Sequence, residues 1–150
     1  MSPLRSVVCA CGLLASLAWN SGCGNTDSVT VAGVATLDGQ PLGDASLEFV
    51  PIGSSNSAGA LARTDDRGQF RIAPGPQNRL GAGKYAIRVT KWVDMKTKLP
   101  VPAEDQEQLK LGKLAKNILP IRYDNTGSNA VVTVDLTSGQ NDLKIDVTSK

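Results

Sequence analysis

The sequence predicts an all-β protein, a seven-stranded sandwich closed around one core. Three observations point there: short runs in which apolar and polar residues alternate, turns rich in Gly, Asp, Asn and Pro between those runs, and a length of 150 residues, which suits a single domain. Alternation has the period of an extended chain, whose successive side chains point to opposite faces of a sheet. Hydrophobic residues make up 41% and charged residues 20%, so the chain has enough apolar surface to bury and does not carry the signature of disorder.

The first strand runs from Val29 to Leu37, with Val29, Val31, Gly33, Ala35 and Leu37 on one face. Asp38-Gly39-Gln40-Pro41 ends it, a turn in which the glycine takes positive φ and the proline stops the ladder. In the second strand Ala45, Leu47 and Phe49 alternate with Ser46 and Glu48 up to Pro51. Gly53 to Gly59, rich in Ser, Asn and Gly, reads as an exposed loop, and a third strand follows around Ala58 to Thr64. The tight turn Asp65-Asp66-Arg67-Gly68 leads into a fourth strand, Gln69 to Ala73, where Phe70 and Ile72 share a face. Two adjacent carboxylates are turn residues rather than a calcium loop, because calcium asks for six to eight spaced oxygens. Tyr85, Ile87 and Val89 alternate with Ala86, Arg88 and Thr90 in a fifth strand that reaches about Trp92. The last two strands place Val132, Val134 and Leu136, then Leu143, Ile145 and Val147, on their inner faces, with Thr137 to Asn141 as the turn.

Between the fifth and sixth strands, residues 93–129 are too many for a bare loop in a compact domain. Leu111, Leu114, Ala115 and Ile118 recur there at helical spacing, with Glu104, Asp105 and Glu107 ahead and Lys110, Lys113 and Lys116 behind, an order that suits the helix dipole. A short helix is expected in this connection, weakened by Gly112.

Ahead of the sandwich, Arg5 is followed by a mostly apolar run from Val7 to Trp19 and by the small residues Ser21 and Gly22. That is the outline of a secretory signal, and the run is shorter than the ~20 residues a transmembrane helix needs. Ser21-Gly22-Cys23 resembles the lipobox of bacterial lipoproteins, whose cysteine is lipidated and becomes the new N-terminus. Asn20 stands where that family carries an aliphatic residue. Cys9 and Cys11 fall inside the signal, which leaves Cys23 as the one cysteine of the mature chain, with no partner for a disulfide. The chain therefore divides into a lipoprotein-type signal peptide at 1–22, the lipidated Cys23 and a polar tether at 23–28, and the folded domain at 29–150.

The stretches Val31 to Leu42, Ala45 to Pro51, Thr64 to Phe70 and Gly83-Lys84-Tyr85 are similar to the turns and strands of carboxypeptidase regulatory-like domains. Leu119 to Tyr123 and Gly139-Gln140-Asn141 resemble segments of small bacterial lipoproteins with that domain. The resemblance spans Val29 to Val147 and implies a transthyretin-like (prealbumin-like) Greek-key sandwich, with a helix in the connection between strands five and six. It brings no catalysis: the zinc peptidase domain is missing, and the related hydrolases depend on histidines.

This chain has no histidine, which removes Ser-His-Asp and Cys-His nucleophile systems and His-rich zinc sites, and neither a cofactor, a metal nor a catalytic set is expected. A net charge of +2 with 4% aromatics argues against nucleic acid as a partner. The expected function is a non-catalytic, lipid-anchored extracytoplasmic module, at the periplasmic face or cell surface, that binds a protein or cell-envelope polymer. The alternative is a soluble secreted accessory domain that binds carbohydrate or assists an enzyme. Trp92 with Lys96, Lys98, Lys110, Lys113 and Lys116 is the candidate contact surface, because the long connection is the most basic region of the chain. Trp92 with Tyr85 could form a sugar platform, although alternation turns Tyr85 inward, and Tyr123 reads as a packed edge residue.

Overall fold

The computed structural model describes residues 28–53, 57–76 and 78–150, and in it the chain folds as an all-β sandwich. The signal segment 1–22, Cys23 with its tether up to residue 27, and positions 54–56 of the Ser-rich loop lie outside the described residues. Ten strands occur among the described residues: β1 (Val29–Leu37), β2 (Gln40–Pro41), β3 (Ser46–Pro51), β4 (Ala60–Arg63), β5 (Gln69–Ile72), β6 (Gly83–Thr90), β7 (Trp92–Asp94), β8 (Ala115–Asn117), β9 (Thr133–Leu136) and β10 (Gly139–Val147).

Seven of these are the strands expected from alternation, and three are additions. β2 arises because Asp38 and Gly39 both take positive φ, 50° and 82°, which folds Gln40 and Pro41 straight back onto Leu37 and Thr36. Two consecutive left-handed residues match the twist of paired strands, hence the Asp-Gly pair. β7 separates from β6 at Lys91, whose N–H donates to the Asn117 side chain at 3.1 Å and whose carbonyl accepts from Ile118 N–H at 3.0 Å. β7 then pairs antiparallel with β8, Trp92 opposite Asn117 and Asp94 opposite Ala115, and makes a small ribbon apart from the two main sheets.

The expected helix is present but displaced. A 3-10 turn, Ala103–Asp105, runs into α1 (Gln106–Leu111), which stops at Gly112. Lys113 takes φ 55°, its N–H returns to Lys110 O at 3.0 Å, and Leu114 N–H returns to Leu109 O at 2.7 Å. These are the two bonds of a Schellman stop, with lysine at the left-handed position that glycine usually fills. Leu114 and Ile118 therefore lie beyond the helix, Ala115 lies in β8, and the spacing of Leu111, Leu114 and Ile118 is no buried helix face, since all three are exposed.

In the first sheet β1 is central. It pairs with β10 in parallel along all nine residues, Val29 opposite Gly139 through Leu37 opposite Val147, while β5 and β2 share its other edge. The second sheet is antiparallel in the order β4-β3-β6-β9. Val29, Val31 and Ala35 of β1, Ile145 and Val147 of β10, and Phe70 and Ile72 of β5 meet Leu47, Phe49, Tyr85, Ile87, Val89 and Leu136 of the second sheet in one buried cluster. Phe49 and Phe70 face each other across the layers with ring centroids 6.3 Å apart. Gly33 lets Phe70 and β10 close in: a Cβ there would stand 2.8 Å from Phe70 Cζ and run into the Leu143 carbonyl.

The pairing sets two poles. Val29, Gly139, Leu136 and Gly83 mark one, because Gly139 pairs with Val29 and follows Leu136 by a short turn, and Leu136 pairs with Gly83. β6 runs away from that pole to Thr90, opposite Ser46, and the ribbon of β7 and β8 continues beyond it.

Candidate functional site

On the outer face of the second sheet, alternation leaves polar residues pointing to solvent: Ser46 and Glu48 from β3, Arg88 and Thr90 from β6. Glu48 and Arg88 stand opposite each other in register. The 3-10 helix Ile121–Asp124 packs on β6 and brings Asp124 alongside, while α1 brings Gln106, Glu107 and Lys110 over the end of the sheet beside Trp92. These side chains enclose an open groove of about 340 Å³, the size of a small ligand or a few residues of an extended one.

Arg88 occupies its floor. Its guanidinium pairs with Glu48 Oε2 at 2.5 Å and Asp124 Oδ1 at 3.6 Å, and its buried Nε has no partner. The three side chains are 31–42% exposed, so each pair is worth only ~0–1 kcal/mol after screening and adds orientation more than stability. At one end Lys110 Nζ lies 4.6 Å from the centroid of the Trp92 ring and 3.4 Å from Glu107 Oε1. The groove thus presents fixed donors and acceptors of both charges beside one aromatic ring, an arrangement for recognising a polar ligand.

Of the candidate contact residues, the structure brings Trp92 and Lys110 together in this groove. Lys96, Lys98, Lys113 and Lys116 sit on the ribbon and its turns: Lys116 pairs opposite Val93, and Met95 N–H donates to Leu114 O at 2.7 Å, tying the Lys96–Lys98 turn to the Lys113 turn. Asp94 organises the first turn by accepting from the N–H groups of Lys96 and Thr97, each at 2.7 Å. Those bonds, Thr97 first and Lys96 next, hold its pKa below the usual carboxylate value.

Tyr85 takes no part. It is fully buried, its hydroxyl exchanges hydrogen bonds with the backbone of Gly81, and a platform with Trp92 is ruled out. Tyr123 is buried as expected, its hydroxyl accepting from Thr148 N–H at 2.9 Å. Asp65 spends its carboxylate on the N–H groups of Arg67 and Gln69, at 2.9 and 2.8 Å, so the Asp65-Asp66 pair is turn structure. Among the described residues no group of three or more acidic or cysteine side chains is gathered that could hold a metal. Glu48, Arg88 and Asp124 are the site residues that sequence reasoning missed. The one legible sign was that Glu48 and Arg88 sit at outward positions of two alternating strands.

No family model matches the chain, and no curated protein matches it. A solved structure of a DUF3823 family protein from Parabacteroides merdae is similar at 17% identity with a TM-score of 0.44. The match covers 83% of this chain and 48% of the other, so this chain spans about half of that protein's length.

Proposed function

We propose that the protein is a non-catalytic binding module carried on a lipid anchor at Cys23 and displayed outside the cytoplasm. The observation that supports this reading is how closely the buried core follows Cys23 in the sequence. Val29, the first residue of β1, is already fully buried, only six positions after Cys23. Between Cys23 and the first described residue, Ser28, the sequence holds only small or polar residues, Gly24 to Asp27, a composition that suits a tether. The outward groove beside Trp92 supplies the recognition surface, and its paired charges serve binding, with the ligand drawn from protein or envelope polymer. Metabolic labelling with a fatty acid, followed by membrane fractionation, tests the anchor. The expected result is label on the wild-type chain, none on Cys23→Ala, and loss of the processed membrane form in that variant. An unlabelled wild-type chain would overturn the reading in favour of a soluble accessory domain.

A further inference from the structure

We propose that the β7–β8 ribbon is an anionic-lipid-binding element, a point at which the sandwich itself touches a bilayer surface. Its turns and the adjoining end of α1 expose four large apolar side chains: Leu111 is 83% exposed, Leu99 64%, Leu114 56% and Met95 50%. Backbone bonds bring the segments of three of them together, because Met95 N–H donates to Leu114 O and Asp94 N–H donates to Leu99 O at 2.9 Å, and Leu111 ends α1 three residues before Leu114. Interleaved with them are Lys96, Lys98, Lys113 and Lys116 against a single aspartate, Asp94, whose carboxylate is turned onto its own backbone. The other described residues hold eleven basic and twelve acidic side chains, so the positive excess of the domain is concentrated here.

Two neighbouring acids have basic side chains beside them. Glu107 lines the groove with Lys110, and Glu104 lines a depression with Asp44 and Arg63 that Leu99 borders, where Arg63 stands as the counter-charge. Lys98 and Lys113 are held at φ 64° and 55°, left-handed positions where glycine would be easier, so the chain accepts backbone strain to set lysines at both turn tips. A dissolved polyanion would pair with the lysines and leave the leucines in water. An anionic bilayer interface takes both, because aliphatic side chains sink to the headgroup boundary while lysine stems lie along them with their ammonium groups among the phosphates. The ribbon stands about 25 Å from Val29 along β6.

The test uses residues 28–150, which contain every residue of the buried core among the described residues. They are sedimented with vesicles of phosphatidylcholine alone or mixed equally with phosphatidylglycerol, in low and high salt. Binding is expected to the mixed vesicles only and to weaken with salt. Replacing Lys96, Lys98, Lys113 and Lys116 by Gln should lower the partition by nearly three orders of magnitude, at about fivefold for each lysine. Leu99→Ser with Leu114→Ser should lower it by about tenfold with the charge untouched. All these side chains are exposed, and unchanged thermal melts will show that the variants fold. Failure of the wild-type domain to sediment with the mixed vesicles overturns the proposal. A leucine pair variant that binds like wild type overturns it too, and so does equal binding to dextran sulfate with no dependence on the leucines.

Discussion

Thr64→Val should destabilise the domain by about 2–4 kcal/mol although it preserves the shape of the side chain. Thr64 is the buried polar side chain of the domain, 3% exposed among the described residues, and its hydroxyl performs two tasks at once. It donates to the Leu42 carbonyl at 2.6 Å and accepts from Ala45 N–H at 2.9 Å, which fastens the approach to β3 against the end of β4. Valine puts a methyl where the oxygen was. The Ala45 N–H and Leu42 carbonyl are then left without a partner in a place water does not reach, at ~1–3 kcal/mol each. For a domain of this size such a loss lowers Tm by about 10 °C and takes a large share of a total stability of ~5–15 kcal/mol. Urea unfolding of residues 28–150 measures it, with an unchanged slope expected because the surface exposed on unfolding is the same. Thr64→Ser is the control: it keeps both bonds and loses one buried methyl, at ~1 kcal/mol. If the valine variant were as stable as the serine variant, the hydroxyl would not be holding the loop and the argument would fail.

Two further outcomes follow from single positions. Gly33→Ala should lower Tm by more than ~5 °C, since its Cβ meets the Leu143 carbonyl and Phe70 Cζ where β1, β10 and β5 close together, and Phe70→Leu should recover part of the loss by retracting the ring. Stability should also fall in acid. Asp38, held by the Ser149 side chain and N–H, and Asp94, held by the N–H groups of Thr97 and Lys96, both have folded pKa values depressed below 3.8. A depressed carboxylate stabilises the fold above its unfolded pKa, and that contribution is lost as pH falls through the folded value. Thermal melts should therefore decline below about pH 4, and Asp94→Asn should flatten part of that decline.

The strands that enclose the core were legible because their burial is two-sided in the simplest way. Val29, Val31 and Ala35, or Leu47 and Phe49, point one way and their neighbours the other, and the core needs that period. The ribbon was illegible for the converse reason. Trp92, Val93 and Asp94 are all half-buried and no alternation marks them. Leu111, Leu114 and Ile118 carried a helical spacing that the fold does not use, because Gly112 and Lys113 turn the chain before the pattern completes. The groove could not be read from local pattern at all. Glu48, Arg88 and Asp124 come from three distant segments, and only the register of β3 with β6 and the packing of a 3-10 helix on β6 bring them together.

The parallel ladder between β1 and β10 gives the domain a mechanical direction. A pull arriving from the N-terminal side enters at Val29 and runs along the axis of β1, the central strand of its sheet. When the opposite pole is held, the pull tries to slide β1 lengthwise past β10 on one side and past β5 and β2 on the other. All the ladder bonds then strain together, in shear, and none can open before the rest as they would in a peeled hairpin. A pull on the N-terminal end of β1 is in this way resisted most strongly along the axis of that strand.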